Sequence, residues 1–262
     1  WDSIDELAVK YTGKKVPMTT GLGATETGPA ALFASVEESA SGVVGVPAPG
    51  CEVKLVPNDG KLELRMRGYS ITPGYWRDEK NTTKAYDEEG FYCLGDALKY
   101  IDENEPQRGF RFDGRVSEDF KLDTGTWVSV GPLRQFVIHH CAPYAQDVVV
   151  AGRDRSYIAV LIFPDMAHLR DLVQDHSLSD AEICQHPHVK EVFGELLGKM
   201  AEASTGSSNR IKSLMLMDKP AQLDAHEITD KGSLNQRAVL ENRANLVEAL
   251  YTGSEEDGVI RL

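Results

Sequence analysis

What the chain does not contain narrows its class first. No apolar run approaches the roughly 20 residues that a helix needs to cross a bilayer. No basic segment followed by an apolar stretch marks a secretory leader. Cysteine is scarce: Cys51, Cys93, Cys141 and Cys184 stand far apart, with no Cys-x-x-Cys pair. That spacing excludes a zinc-finger pattern and a dense disulfide framework, and scattered reduced thiols in a cytoplasmic protein are the expectation. Positive charge is in deficit. Lys and Arg number 28 against 41 Asp and Glu, a formal net charge of -13. A broad nucleic-acid surface needs clustered cations to displace counterions, so that class of partner is disfavoured. An anionic small ligand is not, because a few local cations suffice for phosphate. There is no internal repeat and no low-complexity run. The chain opens on Trp1 rather than Met, and the expectation is a fragment whose own N-terminal part is missing.

What is there has room for one large core or two smaller ones: 262 residues, 41% hydrophobic and 26% charged. The character of the sequence changes at residues 113–125, a polar and charge-dense stretch. Such a stretch is a hinge between domains or a surface hairpin. Before it, period-two alternation at residues 51–55 and 62–66 flanks Pro-Asn-Asp-Gly at 57–60, which predicts a β-hairpin with one buried face. A rigid Gly-Val-Pro-Ala-Pro-Gly connector is expected at 45–50 and a short helix at 81–86 capped by Asn81. After it, apolar strands are expected at 146–151, 157–163 and 211–217. Helices are expected at 131–139 and 165–174, at 187–204 with Val189, Phe193, Leu197 and Met200 on one face, and once more ending near Tyr251. Residues 253–258 read as frayed.

Two sites in the first half invite a ligand. Residues 18–29 form a Gly- and Thr-rich loop with Glu26 at its centre. Small residues let backbone approach a ligand, Thr hydroxyls reach phosphate and Glu can hold Mg²⁺ through oxygen; the same pattern also fits a plain turn. Asp96 follows a Gly where two strands join. A carboxylate there can accept two ribose hydroxyls, or serve as an ordinary turn residue. His139, His140, His186 and His188 lack the spacing of a metal site.

Taken in order, these segments are similar to a known family. Gly21-Leu-Gly-Ala-Thr-Glu-Thr27, Gly45-Val-Pro-Ala-Pro-Gly50, Thr72-Pro-Gly-Tyr-Trp76, Asp113-Gly-Arg-x-x-Glu-Asp-Phe-Lys121 and Ser129-Val-Gly-Pro132 resemble the C-terminal part of the adenylate-forming enzymes. These are the acyl-CoA synthetases and their relatives, and the resemblance is strongest to the feruloyl-CoA synthetases. It covers nearly the whole chain and implies an α+β fold. An antiparallel, barrel-like end of the large AMP-binding domain would occupy residues 1–116. A mobile α+β lid would occupy 117–262.

The implied activity is ATP-dependent ligation of a carboxylic acid to CoA, through an acyl-adenylate, with ATP, Mg²⁺ and CoA as cofactors and a hydroxycinnamate such as ferulate as substrate. An aliphatic acid, or a non-catalytic binding module, is the alternative. Carried over by motif, Thr25 would contact the α-phosphate and Glu26 would hold Mg²⁺. Gly23 belongs to the same nucleotide-binding loop. Asp96 would take the ribose hydroxyls, and Arg115 the ribose or phosphate. Ser117 falls at the hinge, where Asp or Lys is usual. Gly125 would lie in the turn that swings beside the CoA arm, and Lys121, on the same strand, would be a cofactor-binding residue without an assigned contact. Lys231 would be the catalytic lysine, with Lys219 as runner-up.

The chain departs from the family at three places. Leu22 replaces an adenine-stacking aromatic, Leu94 replaces a Thr, and Thr-Asp-Lys-Gly-Ser replaces Ser-Gly-Lys in the late loop. The family's Ser/Thr/Gly-rich phosphate loop has no counterpart in the chain, so the 262 residues alone are expected not to catalyse adenylation.

Overall fold

The computed structural model describes residues 1–262 except Asp59, Ser117, His176, Asp230 and Lys231. The fold is mixed α+β and divides into two compact units, Trp1–Ser117 and Glu118–Leu262.

The first unit begins with α1 (Asp2–Thr12), none of whose residues is buried. Then come β1 (Gly21–Ala24), β2 (Gly28–Phe33), β3 (Val43–Pro47), β4 (Cys51–Asn58), β5 (Lys61–Gly68), α2 (Glu79–Ala85), β6 (Tyr92–Tyr100) and β7 (Phe110–Arg115). The strands form one seven-stranded sheet, ordered β1-β2-β3-β7-β6-β5-β4. Every neighbouring pair is antiparallel. The alternation in residues 51–66 resolves into β4 and β5, with Cys51 opposite Gly68 and Asn58 opposite Lys61. Leu64 and Met66 point into a core shared with Leu32, Val44, Leu98 and Phe110.

Three local expectations for this unit are corrected. The segment 18–29 is a hairpin rather than a loop: Gly21 pairs with Phe33 and Ala24 with Gly28, leaving only residues 25–27 as the turn. The connector at 45–50 is half strand, since Val43–Pro47 is β3. The cap of α2 is Asp78, whose carboxylate accepts the Asn81 N–H at 3.0 Å. Asn81 lies inside the helix, because a carboxylate three residues earlier satisfies an orphan N–H at the helix start.

The second unit starts with a small hairpin, β8 (Phe120–Lys121) and β9 (Trp127–Val128). It continues through α3 (Val130–Cys141), β10 (Ala145–Ala151), β11 (Ile158–Pro164), α4 (Met166–Val173), α5 (Asp180–Gln185), α6 (Pro187–Ala203), β12 (Ile211–Leu216), α7 (Gln236–Asn242), α8 (Ala244–Thr252) and β13 (Val259–Arg261). The main sheet runs β10-β11-β12-β13. Its central pair β11–β12 is parallel and the outer pairs are antiparallel. Helices cover both faces, which is why these strands are apolar without alternation. Val148, Val150, Val160 and Ile162 pack with α3, α4, α5 and α6, where Phe193 and Leu197 are fully buried. Val149, Ala159, Leu161 and Met215 turn the other way, to Val239 of α7 and Leu250 of α8.

Here too the chain tail is corrected. Residues 253–258 are ordered by a Ser254–Asp257 capping box around a short 3-10 turn, Glu255–Asp257. They lead into β13, which pairs with β12. The last helix is two helices, broken at Arg243 (φ -106, ψ 31).

Candidate nucleotide site

In the first unit the hairpin β1–β2 presents Thr25 and Glu26 at its tip. Thr27, 1% exposed, builds that tip by accepting the Ala24 N–H on its hydroxyl at 2.8 Å. Thr25 is exposed and Glu26 half-buried. Gly23 has a structural reason to be glycine: a Cβ there would stand 2.4 Å from the Gly28 carbonyl oxygen. Glu26 is held at both ends. Its backbone carbonyl accepts the Thr72 N–H at 2.7 Å. Its Oε1 accepts the Tyr75 hydroxyl at 3.1 Å. Tyr75 also meets the hydroxyl of Tyr92, at the start of β6, at 3.0 Å.

Asp96 stands further along β6, where the strand is irregular on both sides. Between Cys93 and Ala97 it carries two more residues than β5 does across the same register. Between Asp96 and Leu98 the register with β7 also shifts. Bulges re-aim side chains and recur beside active sites. Asp96 is 6% exposed and pairs directly with Arg115 of β7, whose Nε is 3.3 Å from Oδ1. The Arg115 side chain is itself mostly in solvent. A carboxylate so placed can accept hydroxyl groups, while the guanidinium offers donors to an anion.

The structure thus brings Glu26 and Asp96 to a common strand, through Tyr92 for the first and directly for the second. Among the described residues no group of three or more His, Cys, Asp or Glu could hold a metal ion. A single carboxylate beside phosphate and water is the kind of ligand set that Mg²⁺ takes, whereas zinc sites use several protein ligands.

The remaining candidates lie in the second unit. Lys121 extends over the Trp127 ring, Nζ 5.3 Å from its centroid. Gly125 closes the β8–β9 turn at φ +80, a left-handed conformation that favours glycine, with its N–H bonded to the Leu122 carbonyl at 2.9 Å. A Cβ at Gly125 would meet nothing within 4 Å, so its surroundings are open.

The expected hinge at Ser117 and the expected lysine at Lys231 fall outside the described residues. The flanks of the second are well ordered. Ile228 bridges Leu234, and the Thr229 and Ser233 hydroxyls meet at 2.7 Å. Glu227, 2% exposed, anchors the base by accepting Arg243 Nη2 at 2.8 Å, Nε at 3.0 Å and the Gln222 N–H at 2.9 Å. The Arg243 guanidinium holds the Glu227 carboxyl below its usual range. The runner-up, Lys219, contributes its carbonyl to Arg243 at 2.9 Å.

Reading the sequence missed Tyr75, Tyr92 and Glu227 as site or support residues. Thr72-Pro-Gly-Tyr-Trp76 stands out as a motif, but nothing in its spacing says which carboxylate Tyr75 reaches. The partners are 49 residues apart.

Residues 120–255, more than half of the chain, match the family described as AMP-binding enzyme C-terminal domain, and the chain belongs to that family. Among curated proteins it is similar to a long-chain-fatty-acid–CoA ligase of Mycobacterium bovis, 27% identical over 92% of this chain and 39% of the relative. It is also similar to fatty acyl-CoA synthetase A of Dictyostelium discoideum, 24% identical over 92% of this chain and 38% of the relative. The chain therefore spans about two fifths of the length of these relatives. Its fold matches the adenylation domain of a carboxylic acid reductase from Segniliparus rugosus, solved with AMP and a co-purified carboxylic acid. That match has a TM-score of 0.71 at 21% identity and covers 96% of this chain and 38% of that one.

Proposed function

We propose that the chain is a C-terminal portion of an ATP-dependent acid–CoA ligase. A carboxylate oxygen would attack the α-phosphorus of ATP and expel pyrophosphate, giving an acyl-adenylate. The CoA thiolate sulfur would then attack the acyl carbon and expel AMP, leaving a thioester. Both steps concentrate negative charge on oxygen, which preorganised cations and donors stabilise. Mg²⁺, when bound, would neutralise part of that charge, with Glu26 as one ligand.

The observation that carries the reading is the pairing of Asp96 with Arg115 on a bulged strand, on the same strand as the contact to the Glu26 turn. A buried carboxylate re-aimed by a bulge and paired with a solvent-facing arginine favours ligand binding over a non-catalytic module. Thr25 would serve the α-phosphate, with Gly23 in the backbone that carries it. Asp96 and Arg115 would serve the ribose and phosphate. The open turn at Gly125 would meet the CoA arm, and Lys121 would be a further cofactor-binding residue. Lys231 would deliver its ammonium to the reacting carboxylate, and Ser117 would be the pivot about which residues 118–262 move between the two reactions.

For the acid, the names of the curated relatives favour a long-chain fatty acid. A hydroxycinnamate is the second reading, resting on the motif-level similarity to feruloyl-CoA synthetases. The full-length parent protein, assayed for acid-dependent ATP–pyrophosphate exchange and for thioester, should respond to palmitate or to ferulate and lose exchange in Lys231→Ala. No exchange with any acid would overturn the ligase reading, and full exchange in Lys231→Ala would overturn the lysine assignment.

A further inference from the structure

We infer that Tyr75 is a positioning residue for Glu26, and that Tyr92, Tyr75 and Glu26 form one directed hydrogen-bond relay that fixes the carboxylate toward its ligand. The inference rests on the proposed role of Glu26 as a ligand to a phosphate-bound cation.

The direction of the relay follows from proton counting. An ionised carboxylate only accepts, and a tyrosine hydroxyl has one proton to give. Tyr75 gives its proton to Glu26 Oε1, 3.1 Å away. At the 3.0 Å contact between the two tyrosines, Tyr92 must therefore donate and Tyr75 accept. Tyr92 suits the terminal position because it is 6% exposed. Burial, its bond to Tyr75 and the Glu26 charge all push its phenol well above the ordinary range, so its proton stays in place across any working pH. With Oε1 engaged, Oε2 has no hydrogen bond among the described residues and is the oxygen left to face a ligand.

The strap that carries Tyr75 is itself tied down. Thr72 donates its N–H to the Glu26 carbonyl at 2.7 Å. The Thr72 carbonyl accepts the Tyr86 hydroxyl. Tyr75 donates its N–H to Thr82 Oγ1 at 2.8 Å, and Thr82 Oγ1 donates on to the Asp78 carbonyl at 2.7 Å. The Tyr86 ring lies edge-on to Tyr92 with centroids 5.5 Å apart. The residues of Thr72-Pro-Gly-Tyr-Trp76 are thereby anchored to the Glu26 turn, to α2 and to β6. A side chain on loose backbone would hold no carboxylate; this one is braced on three elements.

The test uses the full-length protein as wild type, Tyr75→Phe, Tyr92→Phe, Glu26→Ala and the Glu26→Ala/Tyr75→Phe double variant. Binding of Mn²⁺·ATP is read by electron paramagnetic resonance of free Mn²⁺, beside pyrophosphate exchange and the melting temperature. Tyr75→Phe should weaken Mn²⁺·ATP binding about tenfold, the lower end for loss of a ligand-orienting partner. The melting temperature should stay close to wild type, since Tyr75 is itself partly exposed. Tyr92→Phe should weaken binding less, in the same direction. In the Glu26→Ala background Tyr75→Phe should have no further effect, because the two residues act as one unit. If Glu26→Ala weakens binding and Tyr75→Phe does not, the relay is wrong and the Glu26 assignment stands. If Glu26→Ala binds as wild type, the assignment itself fails. An additive double variant would show that Tyr75 acts elsewhere and would overturn the inference.

Discussion

Glu227 and Arg243 show what a single buried pair does for the base of a loop. Both are almost fully removed from solvent, with side-chain exposures of 3% and 11%. Breaking such a pair from one side leaves the other charge stranded, so Arg243→Ala should cost about 3–5 kcal/mol in denaturant unfolding. Arg243 also donates to the Lys219 and Pro220 carbonyls, contacts that the variant would lose to water. The pH dependence has a definite sign. The folded pKa of Glu227 is lowered, so the pair's stabilisation is complete above the ordinary carboxylate range. It is lost as pH falls through the lowered value. An Arg243→Ala variant should lose that acid-side slope. The cysteines divide in the same residue-level way. Burial pushes the buried Cys141 and Cys184 thiols up to about 12 and also raises the half-buried Cys51 and Cys93, which stay more accessible. A thiol reagent at pH 8 should modify Cys51 and Cys93 in the native protein and reach the other two only after denaturation.

At the scale of elements, α3 depends on a residue that precedes it by eleven positions. Asp119, 3% exposed, accepts the Val130 N–H at 2.8 Å on Oδ1 and takes Arg153 Nη2 on its carbonyl at 3.2 Å. It thus ties β8, α3 and the turn after β10 together. Asp119→Ala should destabilise the second unit by about 1.5–3 kcal/mol, the value of a hydrogen bond to a charged acceptor, and Asp119→Asn by less, as measured by urea unfolding. This contact was invisible in the sequence because a cap is normally sought next to its helix. What was legible followed strong local periodicity. The β4–β5 hairpin, the apolar strands β10, β11 and β12, and α6 with its Val189, Phe193, Leu197 and Met200 stripe all rest on period two, continuous apolarity or period 3.6. The helix α5 carries a local signal of another kind: Ser179-Asp-Ala-Glu182 is a capping box, and both of its bonds form. β2 and β3 were not legible, because Gly and Pro interrupt their apolar pattern, and neither was β13, a three-residue strand whose partner β12 lies far earlier in the chain.

For the molecule as a whole, ordered motifs identified the family where no single motif could. The residue types Glu26, Asp96 and Arg115 could be picked out from chemistry, but their mutual placement could not, since it depends on bulges in β6 and on a strap 49 residues from Glu26. The sequence contains no phosphate loop of the Ser/Thr/Gly-rich kind. On the proposed ligase reading, the 262-residue chain by itself should give no pyrophosphate exchange with ATP and either palmitate or ferulate.

Trp76 gives the strap a further use. It adjoins Tyr75 and is 87% exposed, whereas Trp127 in the other unit is half-buried beneath Lys121. Indole emission shifts to the red and becomes open to collisional quenchers as water reaches the ring. Acrylamide should therefore extinguish the red edge of the spectrum first. Against a Trp1→Phe background, that edge is an intrinsic optical reporter of the strap beside Glu26, separable from the signal of the second unit without any attached dye.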